Sequence, residues 1–154
     1  MLREPDKRME SVTIMVNNSL PRMLPPGTVL TESQRVIAGP VYELSDVQAI
    51  ARSKGTKGIN VITKDCQEEV TGYFLDASDL QDMILELKQK DYHNSLWCLA
   101  TPKSPWFAAD AYRLLRIERD NVQRITVRYQ YYLKFAISQT GSILLFFSVH
   151  RDIK

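Results

Sequence analysis

The chain has 154 residues, enough for one domain and too few for two of ordinary size. Apolar residues make up 44% and charged residues 25%, an ordinary globular balance, and no stretch approaches the roughly 18 unbroken apolar residues of a membrane span. A formal net charge of +2 is too small to argue for a polyanionic partner, so the placement of charge matters more than its sum.

The first residues, Met1 to Arg8, are charged and lead into no apolar core with a small-residue cleavage site, so no secretory signal is expected and the cytoplasm is the default. Pro21, Pro25, Pro26, Gly27, Gly39 and Pro40 interrupt regular structure over residues 1–40. The β-branched run from Ser11 to Val16 is expected to form a short strand. Residues 1–40 are thus expected to be an N-terminal arm, open to contact by a partner, ahead of a folded domain over 41–154.

Ser45-Asp46-Val47-Gln48 has the form of a capping box and predicts a short helix with Val47, Ile50 and Ala51 inward, stopping before Gly55. Ile59 to Thr63 reads as a strand, and Lys64 to Phe74 as a helix with Cys66, Val70 and Phe74 along one side. A second box, Ser78-Asp79-Leu80-Gln81, leads into Leu80, Met83, Ile84 and Leu87 at helical spacing and predicts a helix from Asp79 to about Asp91 or Tyr92. Periodicity leaves Trp106 to Ile117 open between helix and strand. Arg124 to Ser138 alternates, with Tyr129, Tyr131, Leu133, Phe135 and Ile137 on one side and Gln130, Tyr132, Lys134 and Ala136 on the other. After a turn at Gln139-Thr140-Gly141, Ser142 to His150 returns as its antiparallel partner. Helices followed by hairpin strands predict an α+β fold, with helices on one face of an antiparallel sheet. Trp97 and Trp106 are expected in the core.

Cys66 and Cys98 lie far apart in sequence and are expected as free thiols. No glycine-rich phosphate loop, paired Cys-x-x-Cys, His-Glu-x-x-His or Gly-x-Ser-x-Gly element occurs, which removes the commonest nucleotide, zinc and serine-hydrolase signatures. No metal site is expected. Basic residues gather late in the chain, with Arg113, Arg116, Arg119, Arg124 and Arg128 followed by Lys134, His150, Arg151 and Lys154. Such a surface suits phosphates. RNA carries its own nucleophile in the 2′-OH, so its cleavage without metal needs only a base, an acid and cations, and Lys, Arg, Tyr, His and Gln suffice.

In order and spacing, four stretches resemble the MqsR-type mRNA interferase toxins: Val41-Tyr42-Glu43-Leu44-Ser45-Asp46-Val47-Gln48; Asp91-Tyr92-His93-Asn94-Ser95; Trp106 to Arg113 ending Asp110-Ala111-Tyr112-Arg113; and Val127 to His150 with Tyr131-Tyr132-Leu133-Lys134 and Leu145-Phe146-Phe147-Ser148. The resemblance covers residues 40 to 151. It implies a RelE-like fold, cofactor-free cleavage of mRNA, and neutralisation by a cognate antitoxin protein. The family's catalytic tyrosine falls on Tyr132, its lysine in the last strand on His150 and its lysine at the end of the long helix on Asn94, while its glutamine near Trp106 has no counterpart, Ala109 being the nearest position, so the scaffold is kept better than the active site. The resemblance and the local chemistry together nominate Tyr132, His150 and Lys134 as catalytic, with Arg113, Arg128, Arg151, Asn94 and His93 contacting substrate.

Three functions stay open on the sequence: a toxin-like endoribonuclease, a catalytically degenerate relative that binds RNA or protein, and an interaction domain that docks through its N-terminal arm. Tyr132 and Lys134, two apart on a strand, must point to one side, and a turn centred near Thr140 would place Tyr132 opposite Ser148, with His150 on the diagonal at ~7 Å.

Overall fold

The computed structural model describes residues 21–120 and 122–154; the Ser11–Val16 run lies outside them. The described chain runs β1 (Met23–Leu24), β2 (Val36–Ile37), α1 (Leu44–Lys54), β3 (Ile59–Val61), α2 (Lys64–Gly72), α3 (Ala77–Glu86), β4 (Tyr92–Leu99), β5 (Trp106–Asp120), β6 (Ile125–Ile137) and β7 (Leu144–Ile153). The strands form one seven-stranded sheet in the order β2-β4-β5-β6-β7-β3, with β1 added beside β5. All pairings are antiparallel except β3 with β7. The fold class is α+β, and among the described residues no helix is long and apolar enough to cross a membrane.

Alternation in β6 sorts the sheet into two faces. Tyr131, Leu133 and Phe135 are fully buried and share a core with Val47, Ile50, Cys66, Leu80, Met83 and Ile84 of the helices. Between them, Gln130, Tyr132 and Lys134 stay half-buried on the opposite face. The ambiguous Trp106 to Ile117 stretch is the first part of the long strand β5. It takes that form because β4 and β6 supply ladders on its two edges, and tertiary pairing decides what periodicity cannot.

The helix starts depart from the expected capping boxes. In α1 the box at Ser45 is not formed; Gln48 instead donates from Nε2 to the carbonyls of Ile84 (3.1 Å) and Leu87 (2.9 Å). The Ile84 carbonyl also accepts the Leu87 N–H at 3.3 Å, and Gln48 adds a side-chain donor to the carbonyls where α3 ends. In α3 the box is built by Asp76 and Asp79, which accept each other's backbone N–H at 3.0 and 2.8 Å, so the helix begins before Ser78. A carboxylate at the positive helix end suits this cap, and the Ser78 hydroxyl lies two residues inside it. The helix stops at Glu86 rather than near Asp91, because Leu87 turns to extended backbone and inserts into the core. At the end of α2, Phe74 takes a left-handed φ of 57° and is 93% exposed, so it does not continue the buried side begun by Cys66.

The segment over residues 21–40 is part of the sheet rather than a free arm. Met23 and Leu24 pair with Phe107 and Trp106, Val36 and Ile37 pair with Leu96 and Ser95, and the Trp106 indole donates to the Thr28 carbonyl at 2.7 Å. Ile37, Trp97, Trp106 and Ala108 form a second small core beneath it, so both tryptophans are core residues. The turn into the body of the domain is held by Asp110, a fully buried carboxylate that accepts from the backbone N–H of Val41 (2.9 Å), the N–H of Tyr42 (3.0 Å) and the Ser95 hydroxyl. Burial pushes its pKa up, and these donors pull it back down. Asp110→Ala is expected to leave the Val41 and Tyr42 N–H groups without an acceptor and cost about 2–4 kcal/mol, since each unsatisfied group costs roughly 1–3 kcal/mol. Chemical denaturation reads this directly, and an unshifted midpoint would show that the carboxylate anchors nothing.

Candidate active face

Four side chains from four adjacent strands line up on the face of the sheet away from the core. In the strand register Arg113 of β5 lies opposite Tyr132 of β6, which lies opposite His150 of β7. The Tyr132 and His150 rings are 6.2 Å apart between centroids, and the Arg113 guanidinium sits 5.5 Å from the Tyr132 ring centre. On the other side, His93 stands edge-on to Tyr132 at 6.4 Å, with its Nε2 3.4 Å from Arg113 Nη2.

Two irregularities in pairing produce this row. The β6–β7 loop closes between Ser138 and Ile143 (2.8 Å), and the ladder then shifts between Lys134 and Phe135 so that Phe147 is an extra residue on β7. Tyr132 therefore meets His150 directly instead of on the diagonal, and Lys134 meets Ser148. The β4–β5 ladder shifts between Tyr92 and Asn94, and the bulged residue there is His93.

Two residues that the sequence analysis did not single out hold His150. Its Nε2 lies 3.1 Å from Asp152 Oδ1 and its Nδ1 lies 3.8 Å from Glu69 Oε2. Asp152 follows His150 by two on the same strand, so strand alternation carries that signal. Glu69 arrives from α2, where its other oxygen accepts the Val149 N–H at 3.0 Å, and nothing local announces it.

The remaining candidates divide. Lys134 shares the face of Tyr132, and Asn94 pairs with Ala111, two residues from Arg113. Arg128 lines a 430 Å³ depression together with Lys90, Arg113, Gln130 and Lys154. Arg151 does not join them. It lies on the core side, stacked between Tyr73 and Tyr129 at 4.4 and 4.1 Å and donating to the Tyr131 hydroxyl at 3.3 Å. Arg116 is likewise on the core side, bound to Glu86 and Glu118 at 3.0 and 3.1 Å. The basic run read along the sequence is therefore split by strand alternation between two faces, and Arg151 is removed from the row by the same alternation that places His150 in it.

Compared with protein-family models, with curated proteins and with solved structures, the chain matches none.

Neither thiol is disposed to act as a nucleophile. Both cysteines are free and buried; burial pushes the Cys66 thiol up to about 12 and raises Cys98 as well, although Lys134 and Arg35 pull Cys98 partway back. A raised thiol pKa lowers the thiolate fraction near neutral pH, and the thiolate is the reactive form. Native protein at pH 8 is expected to react with a thiol-specific disulfide reagent far more slowly than protein unfolded in guanidinium, and rapid labelling of Cys98 in the native state would contradict this.

Proposed function

We propose that this face cleaves RNA without a metal ion, in the manner of the MqsR-type interferases whose residue order the chain resembles, and that the protein is the toxin of a toxin–antitoxin pair. The observation that carries the proposal is the row His93, Arg113, Tyr132 and His150, which sets two imidazoles on either side of a phenol with a guanidinium beside it.

A phosphodiester laid over Tyr132 lies between two proton carriers. One takes the proton of the 2′-OH as that oxygen attacks phosphorus, and the other protonates the departing 5′-oxygen, leaving a 2′,3′-cyclic phosphate and a 5′-hydroxyl. Arg113 counters the charge that builds on the pentavalent phosphorus, with the Tyr132 hydroxyl as a further donor. Asp152 at Nε2 fixes the orientation of the His150 ring, and Glu69 stands on its Nδ1 side at 3.8 Å.

The bulge at His93 also bears on the departures from the family pattern. Asn94 cannot exchange protons, but the residue before it is a histidine already directed at Arg113 and Tyr132. His93 thus supplies a titratable group where the resemblance implies a lysine at Asn94.

Incubation with a defined single-stranded RNA in EDTA is expected to give discrete fragments ending in cyclic phosphate. His150→Ala should reduce the rate by about 10² to 10⁴, the usual effect of losing a general acid or base, while leaving the melting temperature close to that of the wild type. Expression in a bacterial cytoplasm should arrest growth, and His150→Ala should relieve the arrest. Asn94, where the resemblance implies a lysine, and the missing counterpart of the family's glutamine favour a second reading, an RNA-binding protein that has lost catalysis. Gel retardation with no cleavage would select that reading, and undiminished cleavage by both His150→Ala and Tyr132→Phe would rule out the proposed site.

A further inference from the structure

A second feature of the same face lies beyond the row, toward the end of the sheet where β4 and β6 finish and β7 begins. There a cavity of about 340 Å³ is lined by Cys98, Lys134 and Phe147 of these three strands, by Arg35 before β2, and by Thr63, Lys64 and Asp65 at the start of α2. Its volume falls at the lower end of the ~300–1,000 Å³ typical of small-ligand sites, but its charged lining does not suit an apolar ligand.

The charges are unevenly satisfied. Arg35, Lys64 and Lys134 face one carboxylate, Asp65, and none of the three makes an ion pair among the described residues. Arg35 lies against the Trp106 ring at 5.2 Å, which fixes the guanidinium while leaving its N–H edge available. On the core side of the same sheet the reverse holds, with Arg116 bound by Glu86 and Glu118. Three like charges converging on one cavity from three separate segments repel one another unless an anion joins them.

We infer that this cavity is a phosphate subsite, which receives the phosphate next along the RNA chain from the one cleaved over Tyr132. The inference rests on the RNA-cleaving reading for its choice of ligand. Lys134 and Tyr132 are two residues apart on one side of β6, about 7 Å by strand geometry. Successive phosphates of an extended nucleotide chain are separated by a similar distance. A strand crossing the row therefore delivers its neighbouring phosphate to Lys134, where Arg35 and Lys64 close on it from the two edges of the sheet. Arg and Lys donors to phosphate oxygens make charge-assisted hydrogen bonds, about twice as strong as neutral ones.

The test is binding of non-cleavable probes in EDTA by calorimetry. A dinucleotide with 2′-deoxyribose at the scissile position carries one phosphate; the same dinucleotide bearing an added 5′-phosphate, or an added 3′-phosphate, carries two. One of the two additions is expected to tighten Kd about tenfold, and the arm that does so reports the direction of the RNA across the sheet. In the double variant Arg35→Gln, Lys64→Gln, whose altered side chains are surface-exposed, the gain should fall below about twofold. It should persist in Lys90→Gln at the far end of the face. No gain from either added phosphate, an equal gain in the double variant, or no binding of any probe would overturn the subsite. Cleavage is measured separately on ribose substrate, so a protein that shows the phosphate gain but cuts nothing retains the subsite and loses only the catalytic reading.

Discussion

The carboxylate of Asp110 holds together the parts of this protein that have no other common link. It sits in the first half of β5, opposite Ser95 on β4 and Phe135 on β6, and draws in the Val41 and Tyr42 backbone from the start of the helical layer. A buried carboxylate with fewer donors would be costly; with two N–H groups and a hydroxyl directed at it, its burial requires one arrangement of three segments and no other. The register between β4 and β5 follows from that arrangement. Between Tyr92 and Asn94 the same ladder bulges, and His93 lies beside Arg113.

At the opposite side of the sheet the edge of β7 imposes a second constraint. Beyond its short parallel pairing with β3, β7 would expose unpaired backbone groups, and α2 covers them with side chains. Thr63 donates to the Phe147 carbonyl at 3.0 Å, Glu69 accepts from Val149, and the Tyr73 hydroxyl lies 3.4 Å from the Arg151 N–H. Because Glu69 also stands beside His150, protection of a sheet edge and orientation of a candidate catalytic group share one residue. The adjoining cavity is bounded by the first turn of the same helix.

The two faces of the long β5–β6 ladder differ in how their charges are treated. Toward the helices, Arg116 is paired with Glu86 and Glu118, and the Tyr131 hydroxyl links Glu118 to Arg151, which stacks between Tyr73 and Tyr129. On the outer face Arg113 touches only a neutral ring and a histidine, and Lys134 and Arg128 make no ion pair among the described residues.

Much of this was legible in the residues alone. The alternation of Tyr131, Leu133 and Phe135 against Tyr132 and Lys134 assigns each side chain to a face without any coordinates, since a strand has a period of two and only one face can reach the core. The helical spacing of Val47, Ile50 and Ala51, and of Leu80, Met83 and Ile84, works for the same kind of reason. What local pattern did not decide was whatever depended on a partner distant in sequence. Gln48 and Ser45 compose a plausible cap, yet Gln48 spends its amide on α3. Trp106 to Ile117 became a strand only by having strands on both sides, and the Pro-rich segment after Pro21 joined the sheet because Trp106 and Trp97 offered it a surface to bury. The meeting of Tyr132 with His150 depended on one extra residue in β7, and that of His93 with Arg113 on one in β4. A single-residue bulge changes register without changing composition or period, so sequence determined which residues share a face, and only the tertiary ladder determined which of them touch.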